Sequence, residues 1–192
     1  MTFGLFVMPT FTISYNFSIM FNFLLTHYSW SRKYYKYFVK YKQVVYNYSG
    51  GKNMEYKRFG STIVVRIDKG EEILENIKAI ALKENIKLAN INALGAVSEF
   101  TVGVFKTDEK KYYSNEFKGY FEIVSLTGII NTMNGEYYSH LHMSAGDDTG
   151  KVFGGHLNRA IVSATCEMII NIIDGNVDRY FDEEIGLNLF KF

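Results

Sequence analysis

From Ser61 to Asp68 the chain reads STIVVRID, a β-branched run of the kind that forms a buried strand. The pattern then changes period. In GEEILENIKAIALKENI, Ile73, Leu74, Ile77, Ile80 and Ala81 fall at helical spacing. Asp68 is the candidate N-cap, and Glu71 and Glu72 suit the positive end of the helix dipole. KLANINALGAVSEFTVGVF predicts a strand, a break at Gly95 and a second strand. KKYYSNEF and YFEIVSLTGIIN predict two more. Asn134-Gly135 carries the strongest hairpin signal and joins LTGIINTM to EYYSHLHMSA. RAIVSATCEMIINIID suits a long strand better than a helix because Val, Ile and Thr dominate it, and GLNLFKF closes as a short strand. Many strands, few helices and hairpin turns predict one α+β domain on a mainly antiparallel sheet. Long apolar strands also need covered edges, which oligomerisation supplies.

Composition divides the chain. Residues 1–53 contain no Asp, Glu or Ala, but sixteen aromatics and six Lys or Arg. Residues 54–192 carry all 20 acids against 15 bases, 15 − 20 = −5, so the overall +1 averages two unlike pieces. Three readings fit the leader. It is a membrane anchor or signal, since Met1 to Trp30 is uncharged and Arg32, Lys33 and Lys36 follow, although Thr10, Ser14, Asn16 and Asn22 interrupt it. It is an aromatic arm packed on the domain. Or it is translated AT-rich intergenic sequence ahead of a mis-assigned start. Gly, Ala, Val, Asp and Glu, the residues with G-first codons, fill 7 of the first 53 positions but 50 of the 138 from Glu55. Gly50-Gly51 just before Met54 is what an in-frame ribosome-binding site encodes. The last reading is preferred, with the working domain at 54–192 and no membrane segment in it. Cys166 is the only cysteine, which excludes an internal disulfide and suits a cytoplasmic protein.

The chemistry concentrates in YYSHLHMSAGDDTGKVFGGHL, Tyr137 to Leu157, which holds three of the four histidines. Residues two apart on a strand share a face, roughly 6.5–7 Å apart. His140 and His142 therefore point together, with Leu141 and Met143 turned into the core. GDDTG turns the chain, and Gly154-Gly155 lets the backbone approach closely or take φ > 0, bringing His156 back beside them. Three neutral imidazoles with an open fourth position form a ligand-accessible zinc site. The plainer alternative is an exposed sheet face. Asp148-Thr149-Gly150 is a hairpin turn rather than a protease motif, and the glycines at 150–155 match no phosphate loop. Glu122 lies oddly inside an apolar strand. It is either exposed or a buried partner of Arg66. Only buried near the histidines could it orient one of them or serve as a general base, which makes it the weak catalytic candidate. Cys166 is a core residue.

IVVRIDKGEEIL, ALGAVSEFTVGVF, FEIVSLTGII, HLHMSAGDDTGKVFGGHL and EMII, in that order, resemble the PPC domain, the plants and prokaryotes conserved domain, also known as a predicted DNA-binding family of unknown function. The likeness covers Glu55 to Phe192, and its H-L-H and G-G-H-L motifs are those of prokaryotic stand-alone members. It implies an antiparallel sheet flanked by helices, a homotrimer, and a metal, zinc by preference, on His140, His142 and His156. Plant members bind A·T-rich DNA through AT-hooks with an Arg-Gly-Arg-Pro core. The only proline here is Pro9, so no hook exists, and a −5 domain lacks the basic footprint that phosphate contacts need. Two functions stand: a metal protein with a small-molecule or hydrolytic role, or a DNA-associated regulatory or assembly module.

Overall fold

The computed structural model describes residues 54–192 together with the backbone pairing at Tyr48–Ser49. The readings of the leader lie outside the described residues. The strands are β1 (Tyr48–Ser49), β2 (Glu55–Phe59), β3 (Thr62–Asp68), β4 (Ala89–Lys106), β5 (Lys111–Met133), β6 (Glu136–Gly146), β7 (Val152–Ile172), β8 (Asp178–Asp182) and β9 (Leu187–Lys191). One helix, α1 (Ile73–Lys83), occurs among the described residues, where the resemblance implied a sheet flanked by helices. All strand pairs are antiparallel, in the order β1-β2-β3-β7-β4-β5-β6. β6 also pairs with β7, so β7, β4, β5 and β6 close on themselves, while β8 and β9 form a separate ribbon.

Alternation decides which face of each strand is buried. β3 places Ile63, Val65 and Ile67 in the core while Val64 and Arg66 are exposed, so the β-branched run is a half-buried strand rather than one covered on both faces. α1 lays Ile73, Ile77, Ile80 and Ala81 on that core, as the spacing predicts. Its N-cap is Glu72, not Asp68, which ends β3. A Glu72 carboxylate oxygen accepts from the Glu75 N–H at 2.6 Å, and the other accepts from the Ala160 N–H at 2.9 Å. One side chain thus starts the helix and fastens it to β7.

The predicted breaks are bends. β4 runs unbroken through Gly95, with register shifts on both sides of it. Gly95 has φ 142°, and a Cβ there would sit 2.2 Å from the Thr165 carbonyl oxygen, so glycine lets β4 bend against β7 without ending. KKYYSNEF and YFEIVSLTGIIN are likewise one strand, β5, curving at Gly119. The Asn134-Gly135 hairpin forms as predicted, both residues having positive φ as a two-residue I′ turn needs. β7 is the strand preferred over a helix. Phe100 stacks on Phe117 at 4.9 Å and meets Phe121 edge-on at 5.0 Å, and Phe117 stacks on Phe153 at 4.6 Å, filling the bend between β4, β5 and β7. Cys166 is fully buried, and its thiol is pushed up to about 12 by burial, which fits a core residue and not a nucleophile.

Candidate metal centre

β6 carries His140 and His142 on the face opposite Leu141 and Met143, both of which are buried. The hairpin to β7 closes around Asp147, whose Oδ1 accepts from the Thr149 N–H, the Thr149 hydroxyl and the Lys151 N–H at 2.9, 2.7 and 3.0 Å. That turn fixes the register in which His142 pairs with His156. Both glycines before His156 are needed for closeness, and neither has a positive φ. A Cβ on Gly155 would lie 2.6 Å from the Gly103 carbonyl oxygen on β4, and one on Gly154 would lie 2.8 Å from the Met143 carbonyl oxygen on β6.

The three rings converge. Their centroids are 5.2 Å apart for His140–His142, 5.0 Å for His140–His156 and 5.7 Å for His142–His156. One nitrogen from each lies within 4.8 Å of the others. Bonds of about 2.0–2.1 Å in a tetrahedron put ligand nitrogens about 3.4 Å apart, so small ring rotations suffice to close on an ion. Among the described residues none of the three imidazoles makes a hydrogen bond, which leaves their nitrogens uncommitted. Burial and the neighbouring charges of His156, Arg179 and His142 lower the His140 pKa to about 4, and burial with His142 lowers that of His156. These two rings are therefore neutral, the form a metal requires. No carboxylate belongs to the cluster.

Glu122 is exposed and faces Gly146 across the β5–β6 ladder, whereas His142 faces Thr127 further along it. Arg66 instead reaches Asp68 at 2.7 Å and Glu55 at 3.4 Å, so the buried Glu122–Arg66 pair does not exist. The condition on which Glu122 could orient a histidine is absent, and it stands apart from the cluster.

Two neighbours of the cluster escape sequence reading. Tyr112 crosses β4 over Gly103, where a Cβ would meet its hydroxyl at 2.5 Å. Its ring stands edge-on to His156 at 6.1 Å, and its hydroxyl donates to the Asn158 side-chain oxygen at 2.6 Å. The second is Arg179 on β8. It stacks over Tyr138, two residues from His140 on the same face of β6, at 4.9 Å, and over Phe190 at 4.4 Å. The only hint of it is a single Arg inside the short alternating stretch VDRYF.

An antiparallel α+β domain presenting three converging imidazoles is the class that fold and site define. The chain belongs to the Plants and Prokaryotes Conserved (PCC) domain family, whose model matches residues 54–174. Similar solved structures agree. A candidate DNA-binding protein from Bacteroides thetaiotaomicron shares 31% identity over 72% of this chain and 97% of its own, with a TM-score of 0.71. A metal-containing protein from Archaeoglobus fulgidus shares 31% identity over 74% of this chain and 100% of its own, with a TM-score of 0.65. A plant- and prokaryote-conserved protein from Pyrococcus horikoshii shares 30% identity over 75% and 98%, with a TM-score of 0.63. No curated protein matches the chain. No helix of the described residues is long and apolar enough to cross a membrane.

Proposed function

We propose that this is a metal-binding protein whose ion sits on His140, His142 and His156, with a fourth position open to a small molecule. The observation that carries this reading is the set of three converging imidazoles with no competing hydrogen bonds among the described residues. The likeness to a metal-containing relative supports it. Zn²⁺ is the preferred ion, since three neutral imidazoles without thiolate or carboxylate suit it. Once bound, the ion would supply Lewis acidity at the open position. Gly154 and Gly155 hold the site together through backbone approach alone. The working unit in this reading is the 54–192 domain, cytoplasmic and assembled as a homotrimer. The test is elemental analysis of the purified protein, followed by zinc titration. About one divalent ion per chain is expected, and no uptake of Zn²⁺, Mn²⁺, Ni²⁺ or Fe²⁺ at micromolar levels would overturn the reading.

A second reading, a DNA-associated regulatory or assembly module, draws on the candidate DNA-binding relatives. Residues 54–192 carry 15 − 20 = −5, which weighs against phosphate contacts. A salt-dependent shift of duplex DNA would favour it over the first.

A further inference from the structure

We propose that Arg179 makes the three-histidine site selective for small organic anions, carboxylates above all, over neutral ligands of the same shape. The inference rests on the metal reading and names the ligand class of that site.

Arg179 is only 6% exposed, yet among the described residues it has no carboxylate partner. Its Nε donates to the Asn131 side-chain oxygen at 3.0 Å and its Nη1 to the Asn188 carbonyl at 2.6 Å. Both acceptors are neutral. Asn131 is fully buried and is held in orientation by donating to the Val177 carbonyl at 3.2 Å and the Thr132 carbonyl at 2.8 Å. The rings of Tyr138 and Phe190 lie against the guanidinium at 4.9 and 4.4 Å. A buried cation is costly unless something negative answers it, and here the protein supplies nothing negative.

The same holds on the histidine side. Arg179 packs on Tyr138, two residues before His140 on the same face of β6, and its positive charge lowers the His140 pKa, while among the described residues no carboxylate joins the histidine group. A divalent ion on three neutral imidazoles would therefore stand beside a second cation with no protein anion to balance either. In a half-buried site that field favours an anion at the open metal position far more than it would in water. Nε and one Nη1 hydrogen are committed, so Arg179 cannot grip an anion side-on through Nε, and its remaining Nη hydrogens, or its field alone, are left for the ligand. A carboxylate, singly charged and able to take the metal through one oxygen, matches that supply.

Cobalt(II) reports on its own coordination through its visible spectrum, so the probes are acetate and its neutral isostere acetamide, titrated into the cobalt-loaded full chain. Acetate is expected to bind the wild type at least tenfold more tightly than acetamide. Arg179→Met should weaken acetate about tenfold and leave acetamide and cobalt stoichiometry unchanged, and Arg179→Lys should restore much of the difference. Were Arg179 merely a brace for the β8–β9 ribbon, its loss would move both probes together, which would overturn the proposal. Equal affinity of the wild type for acetate and acetamide would overturn it without any variant, leaving the metal reading intact. Failure to take up cobalt at all would overturn the metal reading and this one with it.

Discussion

His142 on β6 and His156 on β7 are register partners, so the rung that closes the sheet also brings together two of the three candidate ligands. A site built into a ladder is as well positioned as the ladder itself. The core-facing residues on either side of His142, Leu141 and Met143, do the structural work, and the imidazole is exposed. His142→Ala should therefore weaken zinc by more than about 100-fold, since changes even outside the ligand set cost 10–100-fold. Its far-ultraviolet circular dichroism and melting temperature should stay near those of the wild type. Unchanged zinc affinity would remove His142 from the site.

Gly155→Val makes the opposite kind of defect. The new side chain meets the Gly103 backbone, which cannot step aside as a flexible side chain could. Overpacking of this sort costs roughly 1–3 kcal/mol. Both metal affinity and thermal stability should fall together, in contrast to His142→Ala. A variant with native melting temperature and native zinc uptake would show that the β4–β7 approach tolerates a Cβ.

How much of this the sequence discloses depends on how local each signal is. The α1 spacing, the Asn134-Gly135 turn and the His-x-His face are local patterns, and all appear as expected. Gly95 reads as a break because a glycine that ends a strand and one that bends it look alike until Thr165 is known to press against it. Asp68 reads as the N-cap because Glu, the residue type at position 72, is not a common cap. Glu72 serves here because Ala160, remote in sequence, holds its other oxygen. Tyr112 reaches His156 across β4 and Arg179 reaches Tyr138 from the β8–β9 ribbon, and no spacing rule carries that information. β2 and β8, each five residues long, escape prediction for want of an extended pattern.

The fragment 54–192 should fold and keep the zinc affinity of the full chain. The buried core spans Met54 to Ile170, and Met54 itself is buried, its N–H donating to a Glu71 carboxylate oxygen at 3.2 Å. Circular dichroism and zinc titration of fragment and full chain are the comparison. Aggregation of the fragment, or loss of its zinc site, would make residues 1–53 a structural part of the protein.

The proposed homotrimer should survive chelation. Val64, Leu94, Val124 and Val152 are large apolar side chains exposed on the strands, and area of this kind, about 1,000 Å² or more, is what a stable interface needs. Three imidazoles cannot supply it. Light scattering before and after EDTA treatment is the measurement, and dissociation to monomers on metal removal alone would make the ion a structural tie between subunits.

Acid should act on the site less steeply than on three solvated histidines. An exposed imidazole is protonated below about 6.5 and must shed that proton to bind metal. The His140 pKa is lowered to about 4, so at pH 5.5 it is already neutral and releases essentially no proton on binding, and the lowered His156 releases less than an exposed ring would. Calorimetry at pH 5.5 in buffers of different ionisation enthalpy should thus find well under three protons released per zinc. The same shift has a stability consequence with a definite sign. The unfolded chain takes up a proton at His140 below about 6.5, while the folded chain resists until about 4. Its contribution is present above pH 6.5 and is lost progressively as pH falls toward 4. Metal-free protein should accordingly melt at lower temperature across that window, and His140→Gln, with no such proton to take up, should show a shallower decline. Release of close to three protons at pH 5.5 would mean that the histidines stand in water, as an exposed sheet face would have them.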